Sequence, residues 1–185
     1  MGDEKLNAEE KKTLLELARE TISKKLQHGV VEQATTPAGK LGENRGAFVT
    51  LNKRGNLRGC IGTFMSDRPL VNTIQEMALS AAQRDPRFPS LEFDELEDVD
   101  IEISVLTPLR PVEDVSEIEV GLHGIYITRG FHSGVLLPQV ATEYGWDRDE
   151  FLHNTCLKAG LPPDAWREDG TKIEIFEAEV FGEKD

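Results

Sequence analysis

The stretch Leu-Arg-Gly-Cys-Ile-Gly, at residues 57–62, contains the residue types that thiol chemistry needs. If the stretch forms a β-strand, successive side chains point to opposite faces of the sheet. Arg58 and Cys60 then share one face, whereas Leu57 and Ile61 face the hydrophobic core. A cation beside a thiol lowers the thiol pKa and favours the thiolate, which is the nucleophilic form of cysteine. The spacing therefore identifies Cys60 as a candidate nucleophile and Arg58 as the group that stabilises its thiolate.

The glycines around this cysteine weaken the strand, because glycine packs nothing and loses much entropy on ordering. Gly59 and Gly62 allow a ligand or another backbone segment to approach closely, so both are candidate ligand-binding positions. The alternative is that Cys60 is a small buried residue and that the glycines mark tight packing. The sequence leaves both interpretations open.

The segment Arg-Asp-Pro-Arg-Phe-Pro-Ser-Leu, at residues 84–91, presents a second group of charges. Its prolines restrict the backbone, so the carboxylate of Asp85 and the guanidinium of Arg87 are expected to be held rigidly. We predict that these two residues bind a substrate or ligand. The alternative is an ordinary ion pair in a turn, which contributes little when it is exposed.

Three further residues have side chains of possible functional use. His123 would form a thiolate–imidazole pair with Cys60 if the fold brings them together; otherwise it is a turn or surface residue. Gln139 would bind a substrate amide or carbonyl, or else cap the helix that follows it. Cys156 lies on the apolar stripe of a predicted helix, so we expect it in the core.

The chain has 185 residues and a formal net charge of −13. This charge repels phosphate groups, so binding to nucleic acid or to anionic membranes is disfavoured. No apolar run reaches the roughly 20 residues that a membrane helix needs, and no signal peptide is evident. Two cysteines without paired spacing are typical of a reducing compartment, so we expect a cytoplasmic protein. The sequence contains no cluster with metal-ligand spacing, no Walker loop and no dinucleotide-binding glycine pattern, so neither a metal nor a cofactor is expected.

Periodicity predicts the elements that must position these residues. Apolar residues at three- and four-residue spacing predict helices, and alternating runs predict strands and hairpins. The predicted helices lie within residues 7–29, 67–85, 138–145 and 147–160, and the predicted strands within 46–52, 56–64, 98–106, 124–138 and 171–181. Hairpins mixed with helices, without regular strand–helix–strand alternation, favour an α+β fold with a largely antiparallel sheet and flanking helices. We predict a single domain over residues 8–182, with short tails at 1–7 and 183–185.

Several of these motifs, taken in order, resemble the AMMECR-one domain family. They are Leu-Arg-Gly-Cys-Ile-Gly-Thr at 57–63, Asp-Pro-Arg-Phe-Pro at 85–89, Ile-Glu-Ile-Ser-Val-Leu at 101–106, Gly-Leu-His-Gly-Ile-Tyr-Ile at 121–127 and the segment that starts Gly-Val-Leu-Leu-Pro-Gln at 134. The resemblance extends from about residue 10 to residue 182. The short form resembles the prokaryotic members, known as protein A of the AmmeMemoRadiSam system.

This resemblance implies an α+β fold in two lobes that form one compact unit, with residues 57–62 near a cleft between them. It implies no established reaction, although roles in transcription, repair or translation have been suggested for the family. Association with a Memo-like protein and a radical SAM protein implies a modification or redox pathway with those partners. We therefore consider a cysteine-dependent enzyme or carrier first, and a non-catalytic binding protein for a partner protein or small ligand second. A nucleic-acid-linked factor is opposed by the net charge of −13. Oligomeric state is left open.

Overall fold

The computed structural model describes residues 5–184 and contains helices and antiparallel strands, which confirms the predicted α+β class. Its internal contacts divide the chain into two compact units. Within the described range, the first unit comprises residues 5–106 and 179–184, and the second comprises residues 107–178. None of the described helices is both long and apolar enough to cross a membrane.

Four α-helices and seven β-strands make up the regular structure of the described residues. The helices are α1 (Ala8–His28), α2 (Leu70–Gln83), α3 (Pro138–Tyr144) and α4 (Arg148–Lys158). The strands are β1 (Ala47–Lys53), β2 (Asn56–Thr63), β3 (Val99–Leu106), β4 (Arg110–Pro111), β5 (His123–Arg129), β6 (His132–Leu136) and β7 (Lys172–Gly182). Short 3-10 turns connect several of them.

Helix α1 begins and ends where its sequence predicts. The side chain of Asn7 accepts a hydrogen bond from the N–H of Glu10, and the Glu10 carboxylate accepts one from the N–H of Asn7. This reciprocal capping box satisfies two main-chain donors that the helix leaves unpaired. Gly29 ends the helix with φ of 73°, a left-handed conformation that glycine adopts without strain. The apolar stripe is fully buried at Leu14, Ala18 and Ile22.

The sheet of the first unit has β1 at its centre, paired antiparallel with β2 on one side and β3 on the other. Strand β2 is the last strand in this order, so none of the strands within residues 5–184 pairs with its outer edge. Alternate apolar side chains of β1 and β3 form the core with α1 and α2, among them Val49, Leu51, Ile101 and Ile103. The residues between them, including Thr50, point to the opposite face.

A bulge in β2 changes which face its first residues occupy. Leu51 pairs with Gly59, but the next residue of β1, Asn52, pairs with Leu57, which leaves Arg58 as an extra residue. Strict alternation therefore fails at this point. Leu57 lies on the face away from the core and is 42% exposed, so the prediction that it faces the core is wrong. Alternation resumes beyond the bulge, and Ile61 packs against the core as predicted.

The second unit is built around β5, which lies between β6 and β7, while the short β4 also pairs with β7. Helix α4 begins with a capping box between Asp147 and Glu150 and packs against β5 and β6. Cys156 on this helix is fully buried, which confirms its predicted place in a core. Burial raises the pKa of the Cys156 thiol, so this cysteine is protonated and inert.

Candidate functional site

The main chain of Cys60 is held at the free edge of β2 by the segment that follows α2. The N–H of Cys60 donates to Oδ2 of Asp85 at 2.9 Å, and its carbonyl accepts a hydrogen bond from Nη2 of Arg87 at 3.3 Å. A neighbouring strand would supply one acceptor and one donor at the same place. The Asp85–Arg87 pair therefore substitutes for a strand and fixes the position of the Cys60 backbone.

The carboxylate of Asp85 is the centre of this contact. Its side chain is only 2% exposed, and it accepts hydrogen bonds from the main-chain N–H, Nε and Nη2 of Arg87 at 3.1, 3.0 and 2.7 Å. The guanidinium of Arg87, followed by the N–H of Cys60, holds the pKa of Asp85 well below its usual range. Asp85 is therefore ionised at any physiological pH.

Cys60 as a whole residue is partly exposed, and its sulfur receives a hydrogen bond from a neighbouring strand. Thr50 pairs with Cys60 across β1 and β2, and its hydroxyl donates to Sγ at 3.1 Å. The side chain of Arg87 is 54% exposed, and its pKa is raised, mainly by its hydrogen bond to Asp85. A hydroxyl donor and a nearby cation can both stabilise negative charge that develops on a sulfur atom during a reaction.

Arg58 is bonded to other groups. Its Nε and Nη2 donate to the two carboxylate oxygens of Glu95 at 3.2 and 2.9 Å, and its Nη1 donates to the carbonyl of Pro89 at 2.9 Å. Lys53 also donates to Glu95, at 2.8 Å. Arg58 first and Lys53 second lower the pKa of Glu95 to about 2. The arginine that hydrogen-bonds Cys60 is thus Arg87, and thiolate stabilisation by Arg58 stays a prediction.

The glycines of the motif are each approached closely by another part of the first unit. A Cβ at Gly59 would lie 2.2 Å from the carbonyl oxygen of Ala81 in α2, so only glycine lets the helix pack this closely. A Cβ at Gly62 would lie 2.1 Å from the ring of Phe48. Protein atoms occupy both approaches, and the predicted ligand contacts of the two glycines remain untested.

The other two predicted site residues lie in the second unit. Nδ1 of His123 accepts a hydrogen bond from the N–H of Glu119 at 3.0 Å, and burial lowers the pKa of His123, so this imidazole is neutral. Gln139 is exposed in the first turn of α3. No side chain makes a capping hydrogen bond at Leu137, the N-cap residue of this helix. The structure therefore unites Cys60, Asp85 and Arg87 but assigns His123 a local hydrogen bond within its own unit.

Thr50 and Glu95 take part in the site, and residue types alone did not indicate either. Predicting the contact of Thr50 with Cys60 requires the pairing register of the β1–β2 hairpin. The bulge at Arg58 shifts this register, and the sequence does not reveal the bulge. Glu95 lies in an acidic stretch, whose composition is typical of an exposed surface segment. Among residues 5–184, no group of three or more histidine, cysteine or carboxylate side chains is arranged to hold a metal ion.

The AMMECR1 family model matches residues 15–181, which include every residue of the site. The chain belongs to the AMMECR1 family. It is 45% identical to a protein of Methanothermobacter thermautotrophicus over 96% of both chains. It is 48% identical to a protein of Methanopyrus kandleri, and the aligned region covers 98% of this chain and 92% of that protein. The crystal structure of the uncharacterised protein PH0010 from Pyrococcus horikoshii is similar, with a TM-score of 0.71 and 41% identity over 93% of this chain and 90% of that one.

Within this AMMECR1 chain, two of the motifs that carry the resemblance contact each other directly. Cys60 hydrogen-bonds the side chains of Asp85 and Arg87. Arg58 donates hydrogen bonds to the carbonyls of Pro89 and Ser90. The loop thereby covers the edge of β2, which would otherwise be open to pairing with another chain. The two motifs thus form one structural feature, and the partly exposed Cys60 lies within it.

Proposed function

We propose that Cys60 acts as a thiol nucleophile or as a covalent tether, in an enzyme or a carrier protein. The observation that carries the proposal is the hydroxyl of Thr50, 3.1 Å from Sγ of a partly exposed cysteine. This donor, and the guanidinium of Arg87 on the carbonyl of the same residue, can stabilise negative charge that forms on the sulfur during a reaction. The main-chain bonds to Asp85 and Arg87 support the proposal, because a reactive group gains most when its position is fixed.

Alkylation of Cys60 in Thr50 variants tests this proposal. The rate of reaction with iodoacetamide at neutral pH is measured by mass spectrometry of the peptide that carries Cys60. Thr50→Val removes the hydroxyl at nearly constant volume, and we expect the rate to fall about 3- to 10-fold, the range of one hydrogen bond. Thr50→Ser keeps the hydroxyl and is expected to react at close to the wild-type rate. Equal rates in both variants contradict the proposal.

A non-catalytic binding protein is the second candidate. The packing around Gly59 and Gly62 and the ion pair of Arg58 favour it, because these groups have structural partners. In that case Cys60→Ser retains binding to partners and function in the pathway, whereas a nucleophile or tether is lost with the sulfur.

The pathway remains a proposal that the family resemblance supports. We propose that the protein acts in the cytoplasm in a modification or redox pathway with a Memo-like protein and a radical SAM protein. Reconstitution tests this: the Memo-like or radical SAM protein should bind wild-type protein, and a covalent mass increase at Cys60 should require both. Absence of binding and of any mass change counts against it.

A further inference from the structure

The segment at residues 30–36, between α1 and β1, lacks regular secondary structure but hydrogen-bonds as a β-strand does. The carbonyl of Glu32 accepts from Nε2 of Gln75 at 3.2 Å, and the N–H of Ala34 donates to Oε1 of the same amide at 2.8 Å. The carbonyl of Ala34 accepts from Nδ2 of Asn72 at 3.1 Å. Groups of residues i and i+2 thus face one side, which is the alternation of an extended strand.

Buried side chains of α2 hold the segment in this form. Asn72 and Gln75 are 6% and 8% exposed, and Gln75 also donates to the hydroxyl of Thr21 in α1 at 3.3 Å. Buried amides need hydrogen-bond partners, so breaking these contacts is unfavourable. The two helices therefore fix the extended conformation of the segment before any partner binds.

The opposite side of the segment is unpaired. Within residues 5–184, the main-chain groups of Val31, Gln33 and Thr35 have no hydrogen-bond partner. Natural proteins commonly protect such an edge with lysine, proline or a bulge. Residues 30–36 contain no lysine and no proline, and four of them are β-branched. An extended, unprotected edge is a template for the addition of another strand.

Two charged side chains beside the segment form no ion pair in the described part of the chain. Glu32 and Arg84 line one groove of about 550 Å³ between the segment and α2. Neither side chain makes a hydrogen bond or an ion pair within the described part of the chain. The other pair of charges along this groove, Arg68 and Glu76, is already joined at 2.7 Å. The groove thus offers a cation without an ion pair, and the adjacent edge an anion whose charge also acts weakly on Lys24 of α1.

We propose that residues 30–36 pair with the same segment of a second copy of the chain, antiparallel about a two-fold axis at Gln33. In this register Val31 lies opposite Thr35, so β-branched side chains face each other. Glu32 lies opposite Ala34, so no like charges are directly opposed. A two-fold interface is formed by the same surface on both copies, so that surface must be complementary to itself. In this register the segment meets that requirement.

Charge complementarity argues for a second copy as the occupant. Pairing about Gln33 brings Glu32 of one copy beside the groove in which Arg84 of the other has no partner. The same exchange occurs twice, once on each side of the axis. Seven paired residues bury less than the roughly 1,200 Å² of a standard interface, so we expect a Kd of about 10 to 1,000 µM.

Sedimentation velocity at about 0.15 M salt, over concentrations up to about 1 mM, tests the proposal. Wild-type protein should shift from monomer toward dimer as its concentration rises. Gln33→Pro removes an unpaired N–H, so this variant should keep the wild-type melting temperature and stay monomeric. The matched variant Ala34→Pro removes the N–H that Gln75 binds, and its melting temperature should fall.

Charge exchange identifies the contacts across the axis. Glu32→Arg alone and Arg84→Glu alone should each weaken the dimer, and the double variant should restore it. A wild-type protein that remains monomeric at about 1 mM overturns the proposal, as does Gln33→Pro protein that associates as strongly as wild type. Wild-type protein that stays monomeric but binds a different partner protein, with that binding lost in Gln33→Pro, would overturn the proposal and show that another chain occupies the edge.

Discussion

At the scale of single residues, Cys60 is partly exposed while its main chain is held by two hydrogen bonds. The sequence identified Cys60, Asp85 and Arg87 as candidates from their types and neighbours. It could not show that the two charges bind the cysteine backbone, because they follow it by 25 and 27 residues and the contact depends on tertiary packing. The cation predicted from adjacency was Arg58, which instead pairs with Glu95.

The role of Asp85 is tested by amide hydrogen exchange at Cys60. Asp85→Ala removes the acceptor of the Cys60 N–H, and we expect this amide to exchange at least about tenfold faster in NMR measurements. Amides of α1 should change little, since the effect is local. Asp67→Ala, which replaces an exposed carboxylate outside the site, is the control. Unchanged protection of the Cys60 amide would show that the hydrogen bond from Asp85 does not hold it.

At the scale of elements, the helices followed from sequence more closely than the strands did. Capping boxes and three- to four-residue spacing are local, so α1 and α4 lie where they were predicted. Strand faces depend on cross-strand register, and one extra residue reverses the alternation. Because of the bulge at Arg58, the predicted face is wrong for Leu57, which precedes the bulge, and correct for Ile61, which follows it.

A pair of alanine substitutions measures this difference between the faces of β2. Leu57→Ala should change the free energy of unfolding by less than about 0.5 kcal/mol, because the side chain is largely outside the core. Ile61→Ala should lower it by about 2 kcal/mol, since it leaves a void against packed side chains. Urea denaturation gives both values. A larger loss for Leu57→Ala than for Ile61→Ala would be incompatible with the bulged register.

At the scale of the whole molecule, the α+β class and the buried Cys156 could be predicted from periodicity alone. The division into two units and the order β2-β1-β3 in the first could not, because both depend on contacts between residues distant in sequence. Glu95 forms one of these contacts between residues distant in sequence. It binds Arg58 of β2 and Lys53 of β1, and thus ties the hairpin to the turn that precedes β3.

Acid should weaken the first unit through Glu95. Its folded pKa of about 2 lies below the ordinary value of 4.5, so the ionised form stabilises the fold above pH 4.5. That contribution is lost as the pH falls from 4.5 to about 2. Glu95→Gln should unfold at lower urea concentration than wild type at pH 7, and the difference should disappear near pH 2. The exposed neighbour substitution Asp94→Asn is the control. A difference that does not depend on pH would refute this assignment.

The proposal that Cys60 is the functional thiol of this chain can be tested on the native protein. Its most direct test is the alkylation of both cysteines in native wild-type protein, followed at each site by mass spectrometry and compared with free cysteine at neutral pH. We predict that Cys60 reacts faster than free cysteine, because the Thr50 hydroxyl and the Arg87 guanidinium can stabilise negative charge on the sulfur as it reacts. The buried Cys156 should stay unmodified until the protein unfolds. A Cys60 that reacts more slowly than free cysteine, or not at all, would contradict the account.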